Sequence, residues 1–213
     1  MSGQGMTRQS RVTYTIWALL VLSGVFGAYE LRWSIVFVSL ATLALTLLPL
    51  VLQSWSGIRI PAGFVAGVNL FIVGTLFLGE VGAFYYRFWW WDILMHSGSA
   101  VGFAMIGTVF VVMLNRSPSE THTSPILGAV MAYCFAVAMG AMWEIFEFAM
   151  DELFGFNMQK SGLVDTMGDL IVDCIGAGVG AVAGFFYLRG QHDGWLTGVL
   201  AQFVRDNLRR RRP

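Results

Sequence analysis

Residues 165–188 read DTMGDLIVDCIGAGVGAVAGFFYL, and the reading of this stretch decides the fold. At a rise of about 1.5 Å per residue, a helix of this length crosses the roughly 30 Å hydrocarbon core of a bilayer. Asp165, Asp169 and Asp173 fall at i, i+4 and i+8, on one helical face. Gly176, Gly180 and Gly184 continue the four-residue step, the small-xxx-small pattern that lets membrane helices approach closely. A charged, unpaired carboxylate at this depth costs roughly 3 kcal/mol or more, which makes it a functional-site candidate by default.

The rest of the chain has the same character. Of its 213 residues 56% are hydrophobic and 12% charged, with mean hydropathy +0.67. That composition predicts an all-α polytopic membrane bundle rather than a water-soluble domain. Six runs have the length of a crossing: residues 14–31, 34–52, 62–79, 93–114, 126–150 and 165–188. The first two, joined by a short turn at Arg32 and Trp33, are expected to form an antiparallel hairpin. Arg8 and Arg11 precede the first run, but it is long and no small-x-small cleavage site follows. It is read as an uncleaved span. Cys134 and Cys174 lie inside apolar runs and read as packing residues. Basic and acidic residues balance at 13 each, which gives no basis for a nucleic-acid partner; the expected contacts are membrane lipids. The oligomeric state is left open.

An even number of spans puts both termini on one side. With that side cytoplasmic, Arg8, Arg11, Arg59, Arg116, Arg189, Arg205 and Arg209 to Arg212 lie inside, and Arg32, Arg87 and Lys160 outside. The positive-inside rule therefore predicts a multi-pass membrane protein with both ends cytoplasmic. Residues 1–188 form one six-helix transmembrane domain and residues 189–213 a basic amphipathic tail. Its apolar stripe of Trp195, Leu196, Val199, Leu200, Phe203 and Val204 precedes the arginine cluster and suits the inner leaflet.

This topology brings three polar groups to the outer half of the membrane. Asp92 opens the fourth span and His96 follows one turn deeper; Glu144, Glu147 and Asp151 close the fifth; Asp165, Asp169 and Asp173 open the sixth. Glu144, His96 and Asp173 are expected roughly 6–12 Å below their helix ends. Asp165 and Asp92 are equally readable as helix caps, and Asp151 and Glu152 as solvated loop acids. No lysine or arginine lies within the three groups, so seven carboxylates there require protons or a bound cation. Carboxylates with one imidazole suit a divalent metal such as Mg, Mn or Zn. The expected ligands are His96, Glu144, Asp169 and Asp173, with Glu147 or Asp92 as general base or ligand-orienting group.

The ordered pattern Trp91-Asp92-x-x-x-His96-x-Gly98, Trp143-Glu144-x-x-Glu147, Asp165-Thr166 with Asp169, and Gly176-Ala177 resembles the YjdF-like family of bacterial inner-membrane proteins. The resemblance runs over roughly residues 60–188. It implies the same span count, the same pocket and a place in the inner (cell) membrane of a bacterium, but supplies no reaction. The chain departs from the family pattern at residues 157–162 and at Met167. A looser similarity exists to VanZ-like proteins. Other membrane enzymes fit less well. Asp165-x-x-x-Asp169-x-x-x-Asp173 matches only the tail of the CDP-alcohol phosphotransferase signature, and no second pocket histidine serves a phosphatidic-acid-type phosphatase. No Glu-x-x-His pair suits a di-iron bundle, and no Gly-x-Ser-x-Gly elbow accompanies Ser97 or Ser99. Three readings stand: a metal-dependent enzyme acting on a lipid or lipid-linked head group, a cation- or proton-coupled transporter, and a non-enzymatic membrane assembly factor.

Overall fold

The computed structural model describes residues 9–115, 123–155 and 157–207. Their regular structure is helical throughout. In chain order the helices are α1 (Arg11–Tyr29), α2 (Trp33–Ser56), α3 (Ala62–Ile72), α4 (Phe84–Arg87), α5 (Trp91–Leu114), α6 (Pro125–Phe154), α7 (Leu163–Leu188) and α8 (Trp195–Asn207). Helix α3 runs on in π-helical geometry over Val73–Val81. Six helices are long and apolar enough to span a membrane: α1, α2, α3 with its continuation, α5, α6 and α7. Spans must satisfy their own backbone hydrogen bonds where no water is present, which explains the absence of strands among the described residues.

The chain forms two compact units. Among the described residues, 9–91 and 202–207 make one and those within 92–201 the other. In the first, α1 and α2 form the expected hairpin, closed by a tight turn in which the Arg32 N–H donates to the Gly27 carbonyl at 2.8 Å. Leu31 takes a left-handed φ of 56° to make that turn. The Trp17 indole N–H donates to Thr46 Oγ1 at 3.2 Å and ties the pair together. The third span departs from the regular helix the hydropathy suggests. Its π-helical stretch shifts the backbone register, and the Trp91 indole N–H donates to the Gly74 carbonyl at 3.2 Å. Gly79 makes room for the Tyr85 ring. Phe84, Phe88, Trp90 and Trp91 stack with centroids 4.8–5.6 Å apart, the aromatic belt before the fourth span.

The second unit is built on small residues. Ala100, Ala104, Ala136 and Ala177 form its core, with Phe103, Tyr133 and Val137 packed around them. The glycine row of α7 lies against α5: Gly176 on Ser97 and Ala100, Gly180 on Val101 and Ala104, Gly184 on Thr108. Gly107 meets Ala132 of α6 in the same way. Added side-chain carbons there would run into a neighbouring helix, so the sequence spacing is a packing device. Large apolar side chains such as Ile145, Ile171, Ile175 and Val179 are exposed, as lipid-facing positions are.

Helix ends differ from the hydropathy limits by a few residues in several places. Helices α2 and α6 continue beyond Leu52 and Met150 to Ser56 and Phe154, where Gly57 and Gly155 stop them in the left-handed region. Helix α7 starts at Leu163, so Asp165 sits inside its first turn; the cap position is held by Gly162 at φ 63°. In α8 the expected stripe is partly covered by protein: Leu200 and Val204 are buried while Trp195 is exposed. Asn207 Nδ2 donates to the Arg59 carbonyl at 2.6 Å, and its Oδ1 accepts from the Arg59 N–H. Arg8, Arg116 and the cluster Arg209 to Arg212, which weigh in the charge count, lie outside the described residues.

Candidate functional site

Within the second unit, the N-terminal ends of α5 and α7 and the C-terminal end of α6 carry the polar residues. An α-helix repeats its face every three to four residues, so Asp92 and His96 share a face of α5, and Asp169 and Asp173 a face of α7. Glu144 comes from α6. His96 is the hub. Its Nε2 lies 3.9 Å from Asp92 Oδ1, 3.9 Å from Glu144 Oε1 and 3.8 Å from Asp169 Oδ2. Its Nδ1 lies 3.4 Å from Asp173 Oδ1 and 3.5 Å from Oδ2. Four carboxylates from three helices thus surround one imidazole.

The ring divides them. Asp92, Glu144 and Asp169 face Nε2, and Asp173 faces Nδ1 on the opposite edge. Asp92, His96 and Asp169 each offer one atom with all three within 4.8 Å of one another, a spacing that could close on a metal ion. Of the expected ligands, His96 and Asp169 belong to this trio, Glu144 and Asp173 do not, and Asp92, expected as a base or orienting group, does. His96, Asp169, Glu144 and Asp173 are buried, the last two to 4% and 1% exposure. Both oxygens of Glu144 and Oδ1 of Asp173 have no hydrogen-bond partner. Buried acceptors in that condition cost about 1–3 kcal/mol each, a cost that protonation of the carboxylates or a bound cation offsets.

Glycine makes the approach possible. A side-chain carbon at Gly140, one turn before Glu144 on α6, would collide with the Asp173 carboxylate. Glu147 is half-buried and its Oε1 accepts the Trp143 indole N–H at 2.9 Å. Ser97 and Ser99 donate to the carbonyls of Leu94 and His96 one turn back, so both hydroxyls are engaged within α5.

Asp151 and Asp165 have local work. Asp151 accepts the Met158 and Gln159 backbone N–H groups at 2.7 and 2.9 Å. Asp165 accepts the Lys160 N–H at 3.1 Å, and Gln159 Nε2 donates to Thr166 Oγ1 at 2.6 Å. The α6–α7 connection is therefore fastened to both helices. It delivers Lys160, whose Nζ reaches Asp92 Oδ2 at 2.7 Å. The absence of a basic partner read from the sequence is corrected here: a lysine far along the chain from Asp92 is brought to it by the connection. Lys160 and Gly140 are the site residues that sequence reasoning missed. The placement of Gly140 four residues before Glu144 was the available signal; Lys160 stands out in the sequence as one of the two nearest basic residues, but nothing there pairs it with Asp92.

The protein is a multi-pass membrane protein. A protein of Thermotoga maritima, itself called uncharacterized, is 37% identical over 101 residues, covering 46% of this chain and 50% of that protein. The alignment thus spans about half of its relative. No solved structure matches. The looser likeness to VanZ-like proteins is left without support by these matches. Residues 9–190 match the family described as "Predicted membrane protein (DUF2238)", which is the YjdF-like family, and the match reaches the first two spans as well as the polar motifs; the chain belongs to that family.

Proposed function

We propose that this protein is a metal-dependent membrane enzyme acting on a lipid or lipid-linked head group, with a divalent cation held at His96 Nε2 by Asp169, Glu144 and Asp92. The observation that carries this reading is the set of three carboxylate oxygens 3.8–3.9 Å from one imidazole nitrogen, one of them on a buried and unpartnered glutamate. At bond lengths of about 2.0–2.2 Å, neighbouring ligands of one cation stand about 3–3.5 Å apart. Shortening of the contacts to His96 Nε2 by about 0.3–0.9 Å would bring them to that spacing. Asp173 then orients the ring through Nδ1, the usual part of a carboxylate behind a metal-binding histidine.

A divalent cation polarises a phosphoryl or acyl oxygen and makes water more acidic. The chain's own residues would do the rest. Glu147, one turn beyond Glu144 toward the end of α6, is the group available to move a proton, and its bond from Trp143 fixes its direction. The positive-inside count supports a pocket in the outer leaflet with both termini cytoplasmic, and the family's membership among bacterial inner-membrane proteins supports that membrane as its location.

Metal content of the purified full chain tests this. About one divalent ion per chain is expected, lost in Asp169→Asn and in Glu144→Gln while helicity is kept. A wild-type protein that binds no divalent ion after reconstitution with Mg, Mn and Zn would refute the reading. A cation carrier is the second reading. It is favoured by Ser39, Thr42 and Asn69 in the first unit, all buried with polar atoms that lack a partner. Cation flux in proteoliposomes separates the two.

A further inference from the structure

Asp92 presents its two oxygens to different groups. Oδ1 faces His96 Nε2 at 3.9 Å, and Oδ2 is held by Lys160 Nζ at 2.7 Å. The distance is that of a strong charge-assisted hydrogen bond, and both side chains are about three-quarters covered, at 24% and 25% exposure. The lysine is not on a loose loop. Its own N–H is bound by Asp165, the two preceding N–H groups are bound by Asp151, and Gln159 is bound to Thr166. Gly155 and Gly162 take left-handed φ values at the two ends of this strap, which turns the chain sharply out of α6 and back into α7. The ammonium is thus delivered to Asp92 with its backbone already fixed.

That geometry has a consequence for which cation the pocket accepts. Resting on the reading of the cluster as a divalent-cation site, we propose that Lys160 is a specificity-determining residue: by occupying Oδ2 it makes Asp92 a one-oxygen ligand and so selects small cations over calcium. Ca²⁺ takes six to eight oxygens at about 2.3–2.6 Å and gains them through two-oxygen carboxylates. Mg²⁺ and Mn²⁺ accept a single carboxylate oxygen in near-octahedral arrangements, and Zn²⁺ needs only four ligands in all. Lysine removes one oxygen from the available set without displacing the carboxylate. It also adds a positive charge at the edge of the site, which weighs against any cation that binds loosely and at longer range.

The cluster itself is more than an accumulation of acids, because Glu144 is over nine-tenths buried and neither of its carboxylate oxygens has a hydrogen-bond partner. Glu144 and Asp169 line the Nε2 edge of His96 where Asp92 completes the small-cation site, and Asp173 holds the ring from its other edge.

The experiment measures Mn²⁺ binding to the full chain in nanodiscs by electron paramagnetic resonance, with Ca²⁺ as competitor. The wild type is expected to bind Mn²⁺ and to resist Ca²⁺. Lys160→Met is expected to raise Ca²⁺ affinity relative to Mn²⁺ by about tenfold, the scale of one charge-assisted contact, with Lys160→Arg restoring most of the preference. Helicity and elution profile serve as folding controls; if Lys160→Met fails them, the Arg variant and Lys160→Gln carry the comparison. Mn²⁺ binding with the same Mn²⁺-to-Ca²⁺ preference in all foldable variants would overturn the role of Lys160 alone. A wild type that binds neither ion would overturn the cation site itself.

Discussion

His96 separates the carboxylates by which nitrogen each one faces, and that division yields the sharpest expectations at the scale of single residues. Asp173→Asn keeps the volume of the side chain but removes the charge behind Nδ1. Loss of such an orienting partner weakens metal affinity by about 10–100-fold, whereas Asp169→Asn should abolish binding; titration of both variants with Mn²⁺ distinguishes them. Gly140→Ala places a carbon against the Asp173 carboxylate. Overpacking of that kind costs about 1–3 kcal/mol. The variant should unfold at lower temperature and bind cations more weakly, and unaltered melting would contradict the tight approach of α6 to Asp173. The residues of the pocket were largely visible in the sequence, because intramembrane acids are rare enough to stand out. Their division between Nε2 and Nδ1 was not, since helical spacing fixes a face but not which ring edge a side chain meets.

Among the elements, the strap between α6 and α7 shows where hydropathy stops being informative. Span limits follow from apolar runs, and the caps at Gly57 and Gly155 extend them by a few residues. Connection residues carry no such period. The destination of Lys160 depends on Asp151 and Asp165 catching the backbone on either side, which is a tertiary outcome. Asp151→Ala leaves the Met158 and Gln159 N–H groups without their acceptor. Hydrogen exchange over residues 157–162 should quicken, by the equivalent of about 1–3 kcal/mol of local stability. Equal protection in variant and wild type would show that the strap is held by other means. The third span is a second example. Its apolar content is that of any crossing, so nothing in the pattern distinguished π from α geometry; Gly74 and Gly79 mark the place only in retrospect.

At the scale of the whole molecule, the class of fold was legible because a bilayer admits few solutions: six apolar runs with no alternation become six helices. The glycine row of α7 similarly announced close packing, and its partners on α5 are small residues as the pattern requires. Orientation belongs to this scale as well. A green fluorescent protein fused after residue 213 should fluoresce in a bacterial host, and an alkaline phosphatase fused in the 157–162 connection should be active; the opposite pair of results would invert the topology and move the pocket to the inner leaflet. The most direct test of the cation site is pulsed electron paramagnetic resonance of Mn²⁺ bound to protein carrying ¹⁵N-labelled histidine. A nitrogen coupling from one imidazole, absent in His96→Gln, is the predicted result. Bound Mn²⁺ with no nitrogen coupling, or with a coupling that survives His96→Gln, would contradict a cation held at His96.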